Sequence, residues 1–210
     1  MAPILTTGAG AYIAAAGFTP TIWDASHKAA SITLSGSPLV TATLGSSGAA
    51  LVRSVAGYSS GKKYFELTLG GPGGNYTVGF GNSSMVLSGT YPSNDLNSFG
   101  WLGDEVLLNG ARLTGSSHTT ALTTGSTICL AVDFGAMRLW NRVGTAAGTW
   151  WGPGGATTGD PTSSGTGFDF SAINSGPYYA YFFSDISGDT STANFGASAF
   201  TNAPSGYTGW

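Results

Sequence analysis

The chain has 210 residues, with seven Lys and Arg against ten Asp and Glu for a net charge of −3; only 8% of residues are charged while 41% are hydrophobic and 12% aromatic. This excludes a disordered chain, and the few basic residues, scattered from Lys28 to Arg142, form no stripe that could neutralise a phosphate backbone, so nucleic acid is not an expected partner. No run approaches the ~18 apolar residues of a membrane span, and Met1 to Phe18 lacks the positive n-region of a secretory signal, so neither membrane insertion nor a signal peptide is expected.

In chain order, residues 1–22 form a separate zone rich in Ala, Gly and Thr that reads as an arm or docking segment. A single domain is placed at 23–210. There, apolar residues alternate with period 2, interrupted every eight to fifteen positions by Gly, Asn, Ser or Pro, and no window keeps a helical period. Strands are predicted at Ser31–Leu34, Leu39–Leu44, Leu51–Ala56, Lys63–Leu69, Tyr76–Gly81, Ser98–Leu102, Glu105–Leu108, Ala111–Thr114, Thr127–Phe134, Met137–Asn141, Tyr178–Ser184 and Thr190–Phe195. This is the strand content of an all-β antiparallel sandwich.

Asn109-Gly110 lies between apolar runs and tolerates the positive φ of a type I′ turn, which predicts a two-residue hairpin. Asp133-Phe134-Gly135-Ala136 predicts a second hairpin. Thirty-four glycines and nine prolines, together about a fifth of the chain, agree with many tight turns. The lone Cys129, inside Thr127-Ile128-Cys129-Leu130-Ala131-Val132, is read as a small buried hydrophobe. Three stretches resist strand assignment: Gly70–Gly74, Asn82–Asn97 and Val143–Ser175. Long loops in a compact domain are where function concentrates.

Several segments resemble the SPRY domain, the β-sandwich module also found within B30.2 domains. They are Gly61-Lys62-Lys63-Tyr64-Phe65-Glu66-Leu67; Thr77-Val78-Gly79-Phe80-Gly81; Phe99-Gly100-Trp101 before the Asn109-Gly110 turn; Thr124 to Phe134 with Met137-Arg138-Leu139-Trp140; and Thr192-Ala193-Asn194-Phe195-Gly196 through Phe200. Ser126 replaces the family's usual Asp, and Asn141-Arg142-Val143-Gly144 replaces its usual Asn-Gly turn. The flanks Trp23 to Ser35 and Ala203 to Trp210 resemble SPRY modules of tailed bacteriophages and prophages, which typically belong to tail-tip or fibre proteins. The resemblance implies a SPRY-like sandwich with long loops at one end, located in the virion.

The resemblance leads to the expectation of a non-enzymatic tail-fibre or tail-tip module presenting loops for attachment to a host-surface glycan or protein. Alternatives are a structural fibre or decoration protein of the particle, or an intracellular SPRY adaptor that binds peptides. Expected partners are other virion proteins, further copies of the chain (fibre proteins are commonly symmetric trimers) and the host surface.

The candidate contacts are loop residues. Trp150 and Trp151, flanked by glycines and outside any strand pattern, point opposite ways on an extended chain, so one can anchor while the other faces out. Tyr91 with Asn94, Asp95 and Asn97 offers an aromatic face and short polar groups suited to sugar or peptide. Tyr58, before the first family motif, is a further candidate. No catalytic residue, metal site or cofactor is expected. His27 and His118 lack partners in ligand spacing, adjacent Asp104 and Glu105 would project to opposite faces, and the glycine runs lack the residues of a phosphate cradle. Asp185 and Asp189 offer oxygens for Ca²⁺ but without EF-hand spacing, and a polar turn is the favoured reading.

Overall fold

The computed structural model describes residues 18–73, 75–102, 105–113, 122–144, 149–153, 155–156, 159–173 and 175–210. Its strands are β1 Trp23–Lys28, β2 Ile32–Ser35, β3 Thr41–Leu44, β4 Ala50–Tyr58, β5 Lys62–Gly70, β6 Thr77–Gly81, β7 Ser98–Leu102, β8 Glu105–Leu108, β9 Ala111–Arg112, β10 Thr127–Asp133, β11 Arg138–Val143, β12 Trp151–Gly152, β13 Gly155–Ala156, β14 Phe168–Asp169, β15 Tyr178–Ser184, β16 Thr190–Asn194 and β17 Thr208–Gly209. A seven-stranded sheet runs β1-β4-β15-β6-β7-β8-β9. A ten-stranded sheet runs β13-β12-β11-β10-β5-β16-β3-β2, with β14 on β11 and β17 on β5. All pairings are antiparallel except β5 with β17.

The period-2 pattern sorts side chains between the faces. On β5, Phe65, Leu67 and Leu69 enter the core between the sheets, while Tyr64 faces outward. On β10, Ile128, Leu130 and Val132 point in and Cys129 and Ala131 point out. The core is dense in rings: Phe80 stacks on Phe99 at 5.6 Å, Trp23 meets Phe195 edge-on at 5.0 Å, and Phe65 meets Trp210 at 5.1 Å. Burying each such side chain contributes about 1.5–3 kcal/mol. Trp23 and Trp210, from the two flanks of the domain, are both fully buried.

The Asn109-Gly110 hairpin forms as predicted, with φ of 48° and 74° and Leu108 paired to Ala111. The second hairpin also forms. Asp133 Oδ1 accepts from the Gly135 and Ala136 amides, and because Met137 has φ 53° the following strand begins at Arg138 rather than Met137. Gly79 has a steric reason: a Cβ there would overlap the Phe99 carbonyl of the neighbouring strand. The strand expectations are corrected at several points, β17 at Thr208–Gly209 among them. Strand β1 was not foreseen, since only Trp23 of its six residues is buried. The 143–175 run, expected to lack strands, supplies three short ones, among them Trp151–Gly152.

Candidate functional site

The outer face of the seven-stranded sheet carries Leu51, Tyr181 and Phe183, an apolar strip that must be covered. The 82–97 segment is the cover. It leaves β6, crosses the sheet as a strap and returns to β7, packing Met85 and Leu87 on the strip. The Leu51 amide donates to the Leu87 carbonyl at 2.8 Å and the Gly89 amide to the Ala49 carbonyl at 3.0 Å. Asp95 closes the strap from within: Oδ2 accepts from the Val86 amide at 2.9 Å and Oδ1 from the Asn97 amide at 2.9 Å.

The predicted residues of this loop therefore divide. Tyr91 is on the surface, 37% exposed, with its ring on Phe183 and its hydroxyl donating to Asp185 Oδ2 at 2.8 Å. Asp185 Oδ2 also accepts from Asn75 Nδ2 at 3.0 Å. Asn94 is exposed. Asp95 is buried and its carboxylate is occupied by strap amides, and Asn97 is half-buried against Asn82 and Asp95. Exposed Val86, Leu96 and Ile186 give the strap and the adjoining 184–189 turn an apolar surface beside Tyr91. Asp189 is the buried member of that turn, accepting from Ser184 Oγ, the Tyr76 hydroxyl and the Gly73 amide.

The other predicted residues lie elsewhere. Trp151 is buried in the main core. Trp150, pointing the other way as the alternation requires, is half-buried on the outer face of the ten-stranded sheet, against Tyr64 at 6.3 Å and with the Arg142 guanidinium 4.9 Å from its ring. Tyr58 ends β4, edge-on to Trp210 at 5.8 Å, with Lys63 Nζ 4.0 Å from its ring centre; burial raises its phenol pKa. Trp150 and Tyr91 thus belong to opposite outer faces. His27 bonds Asp24 at 2.7 Å and Glu105 pairs with Arg112 at 2.7 Å. Asp104 and His118 lie outside the described residues.

The strapped face also holds a feature that the sequence did not announce. Along β4, Tyr179 pairs with Gly57 and Tyr181 with Arg53, so four residues of β4 are spanned by two of β15. This is a bulge. Ser54 Oγ fills the gap in the ladder by accepting from the Ala180 amide and donating to the Ala56 carbonyl. Bulges re-aim side chains and concentrate near functional sites. Val55, on the outward side within the bulged stretch, is 52% exposed. Beside it, Arg53 is 7% exposed, its guanidinium 4.0 Å from the Tyr179 ring centre and its Nε buried without a hydrogen-bond partner. No carboxylate lies within ion-pair distance of it among the described residues. The available signal was weak: one arginine at an outward position in the apolar run Leu51-Val52-Arg53-Ser54-Val55.

No family model matches the sequence, and no curated protein matches it. Solved structures do match. The SPRY domain of human HERC1 aligns with a TM-score of 0.60 at 12% identity over 84% of this chain and 99% of that one. The TRIM65 PSpry domain aligns at 0.56 and 12% over 84% and 92%. A human SPRY domain aligns at 0.52 and 15% over 80% and 98%. The chain has the SPRY-type β-sandwich fold.

Proposed function

We propose that this chain is a non-enzymatic recognition module that meets its partner with the outer face of the seven-stranded sheet, between the β4 bulge and the 82–97 strap. The observation that carries this reading is Arg53. Taking a guanidinium out of water costs on the order of several kcal/mol unless the charge is paired, and Arg53 has an aromatic neighbour but no acceptor at Nε. A ligand acceptor would offset that cost. Exposed Tyr91 supplies a ring of the kind that anchors an interface, and exposed Val55 and Val86 add apolar surface to this face.

The setting we propose is a bacteriophage virion, with the module attaching to a glycan or protein of the bacterial surface. Its supports are the resemblance of the flanking segments to tail-protein modules and a surface with few charges to promote nonspecific ionic adhesion.

The test is adsorption of the fluorescently labelled chain to a panel of bacterial strains, beside R53Q and Y91A. Strain-selective adsorption that R53Q weakens is expected. Adsorption to no strain would overturn the proposed setting, and adsorption undiminished in both variants would overturn the assigned face.

A further inference from the structure

Just past the end of β15, two side chains meet on one carboxylate. Asp185 Oδ2 accepts from Asn75 Nδ2 at 3.0 Å and from the Tyr91 hydroxyl at 2.8 Å. An ionised carboxylate can only accept, so it fixes the Asn75 amide with Nδ2 toward Asp185 and Oδ1 away from it. Asn75 is exposed, and among the described residues its Oδ1 receives no hydrogen bond. The same residue lines an open groove of about 550 Å³ together with Pro72, Gly73, Leu122, Thr123 and Thr124. The walls are tied in place, because Thr124 Oγ1 donates to the Gly71 carbonyl at 2.9 Å and the Gly73 amide to Asp189 Oδ1 at 3.1 Å. Among the described residues no Lys, Arg or His lies within ion-pair distance of Asp185 or Asp189. Asp185 Oδ1 has no donor either.

A groove with hydroxyl and amide walls, an oriented amide at its edge and an aromatic ring held to the same carboxylate suits a ligand dense in hydroxyls. We propose that this groove binds a neutral oligosaccharide. One sugar ring lies against the open part of the Tyr91 ring, and neighbouring hydroxyls meet the Asn75 amide, one donating to Oδ1 and one accepting from the second N–H of Nδ2. Asp185 is a positioning residue, which holds the amide and the phenol without touching sugar. Its unmatched charge repels sialic and uronic acids. The groove's volume falls within the ~300–1,000 Å³ of ordinary ligand sites, and exposed Pro72 offers hydrocarbon to the C–H face of a further sugar ring. This rests on the reading of the chain as a recognition module and narrows its surface partner to one chemistry, but it does not depend on Arg53.

The test is a glycan array carrying neutral oligosaccharides of hexoses and N-acetylhexosamines beside sialylated and uronic-acid counterparts, probed with the labelled full chain at physiological salt. Binding to neutral glycans in preference to acidic ones is expected. N75A and Y91A should each weaken binding of the best neutral glycan about five-fold or more, the effect of losing a hydrogen-bonding or stacking partner, and R53Q should not. D185N keeps an acceptor oxygen but removes the charge, so it should raise binding of acidic glycans relative to neutral ones, a change that a loosened loop would not produce. Circular dichroism of each variant checks folding. Independently of any variant, titrating the best neutral glycan into the isotope-labelled parent chain should shift the NMR signals of the Asn75 side-chain amide and the Thr123 and Thr124 backbone amides, and leave Trp150 Nε1 unmoved. No neutral glycan bound, a preference for acidic glycans, an unshifted Asn75 amide, or parent-like binding by both N75A and Y91A would overturn the proposal. Strain adsorption that R53Q weakens while no glycan binds would leave the recognition face standing and remove only the sugar. Neutral-glycan binding without adsorption to any strain would keep the groove and overturn the bacteriophage setting.

Discussion

The Tyr91 hydroxyl donates to Asp185 Oδ2 at 2.8 Å across 94 positions of sequence, tying the far end of the strap to the turn after β15. That carboxylate, by hydrogen bond and charge, holds the Tyr91 phenol above its usual value of 10.0. A raised value means that the link is favoured while the phenol is protonated and is lost as pH rises through the folded value. Y91F should leave the melting temperature close to the parent's yet speed hydrogen exchange of the Gly89 amide, which bonds the Ala49 carbonyl. Unchanged exchange at Gly89 would show that the strap is held without this link.

Asp95 acts on the strap from the inside. D95A removes the acceptor of the Val86 and Asn97 amides and should lower stability by about 1–3 kcal/mol in chemical denaturation, the cost of leaving part-buried donors unmatched. The Leu51 amide, bonded to strap residue Leu87, should lose exchange protection. A variant as stable as the parent would place the strap's support elsewhere.

These two residues, Tyr91 and Asp95, show what the sequence could and could not convey. Asp95, Asn97 and Tyr91 read alike as polar loop residues. Only the folded strap reveals that one carboxylate is turned inward onto amides while the phenol is turned out. The longer strands, β1 excepted, were legible because inward and outward residues alternate over four or more positions, as in Phe65-Glu66-Leu67-Thr68-Leu69. Strand β1 was not, because it buries Trp23 and then runs along the surface, and β12, β13, β14 and β17 are two residues each, too short for any period. Arg53 is illegible in the sequence for a related reason. Its significance depends on a bulge, a mismatch between two strands that neither strand's own sequence displays.

Asp169 gives a prediction in pH. It pairs with Arg138 Nη1 at 2.6 Å, joining β14 to β11, and this bond, with those from Ser171, lowers its pKa from 3.8 to about 2. Because the folded value is depressed, the contribution is present above the unfolded value near 3.8 and is lost as pH falls through about 2. Carboxyl NMR should therefore show Asp169 titrating near the lower value. R138Q should move it back toward 3.8. Asp169 is about half exposed and Arg138 partly so, so the accompanying change in global stability should be small.

Glu66 does for the ten-stranded sheet what Asp95 does for the other. Although it sits at an outward position of β5, it is only 5% exposed, because residues 199–207 fold back over it. Oε1 accepts from the Tyr64 hydroxyl at 2.8 Å and from the Thr201 and Asn202 amides at 2.8 and 3.2 Å. Phe200, held by these contacts, meets Tyr64 edge-on at 4.8 Å. E66A would strand three donors beneath the returning chain and should destabilise by about 3 kcal/mol. E66Q keeps an acceptor oxygen and should cost appreciably less. Proteolysis discriminates this latch from a general loss of stability: in E66A, cleavage should begin within residues 199–203 under conditions where the rest of the sandwich resists. Cleavage that begins elsewhere, or E66Q as damaging as E66A, would mean that the returning segment is fixed by its aromatic contacts rather than by the carboxylate.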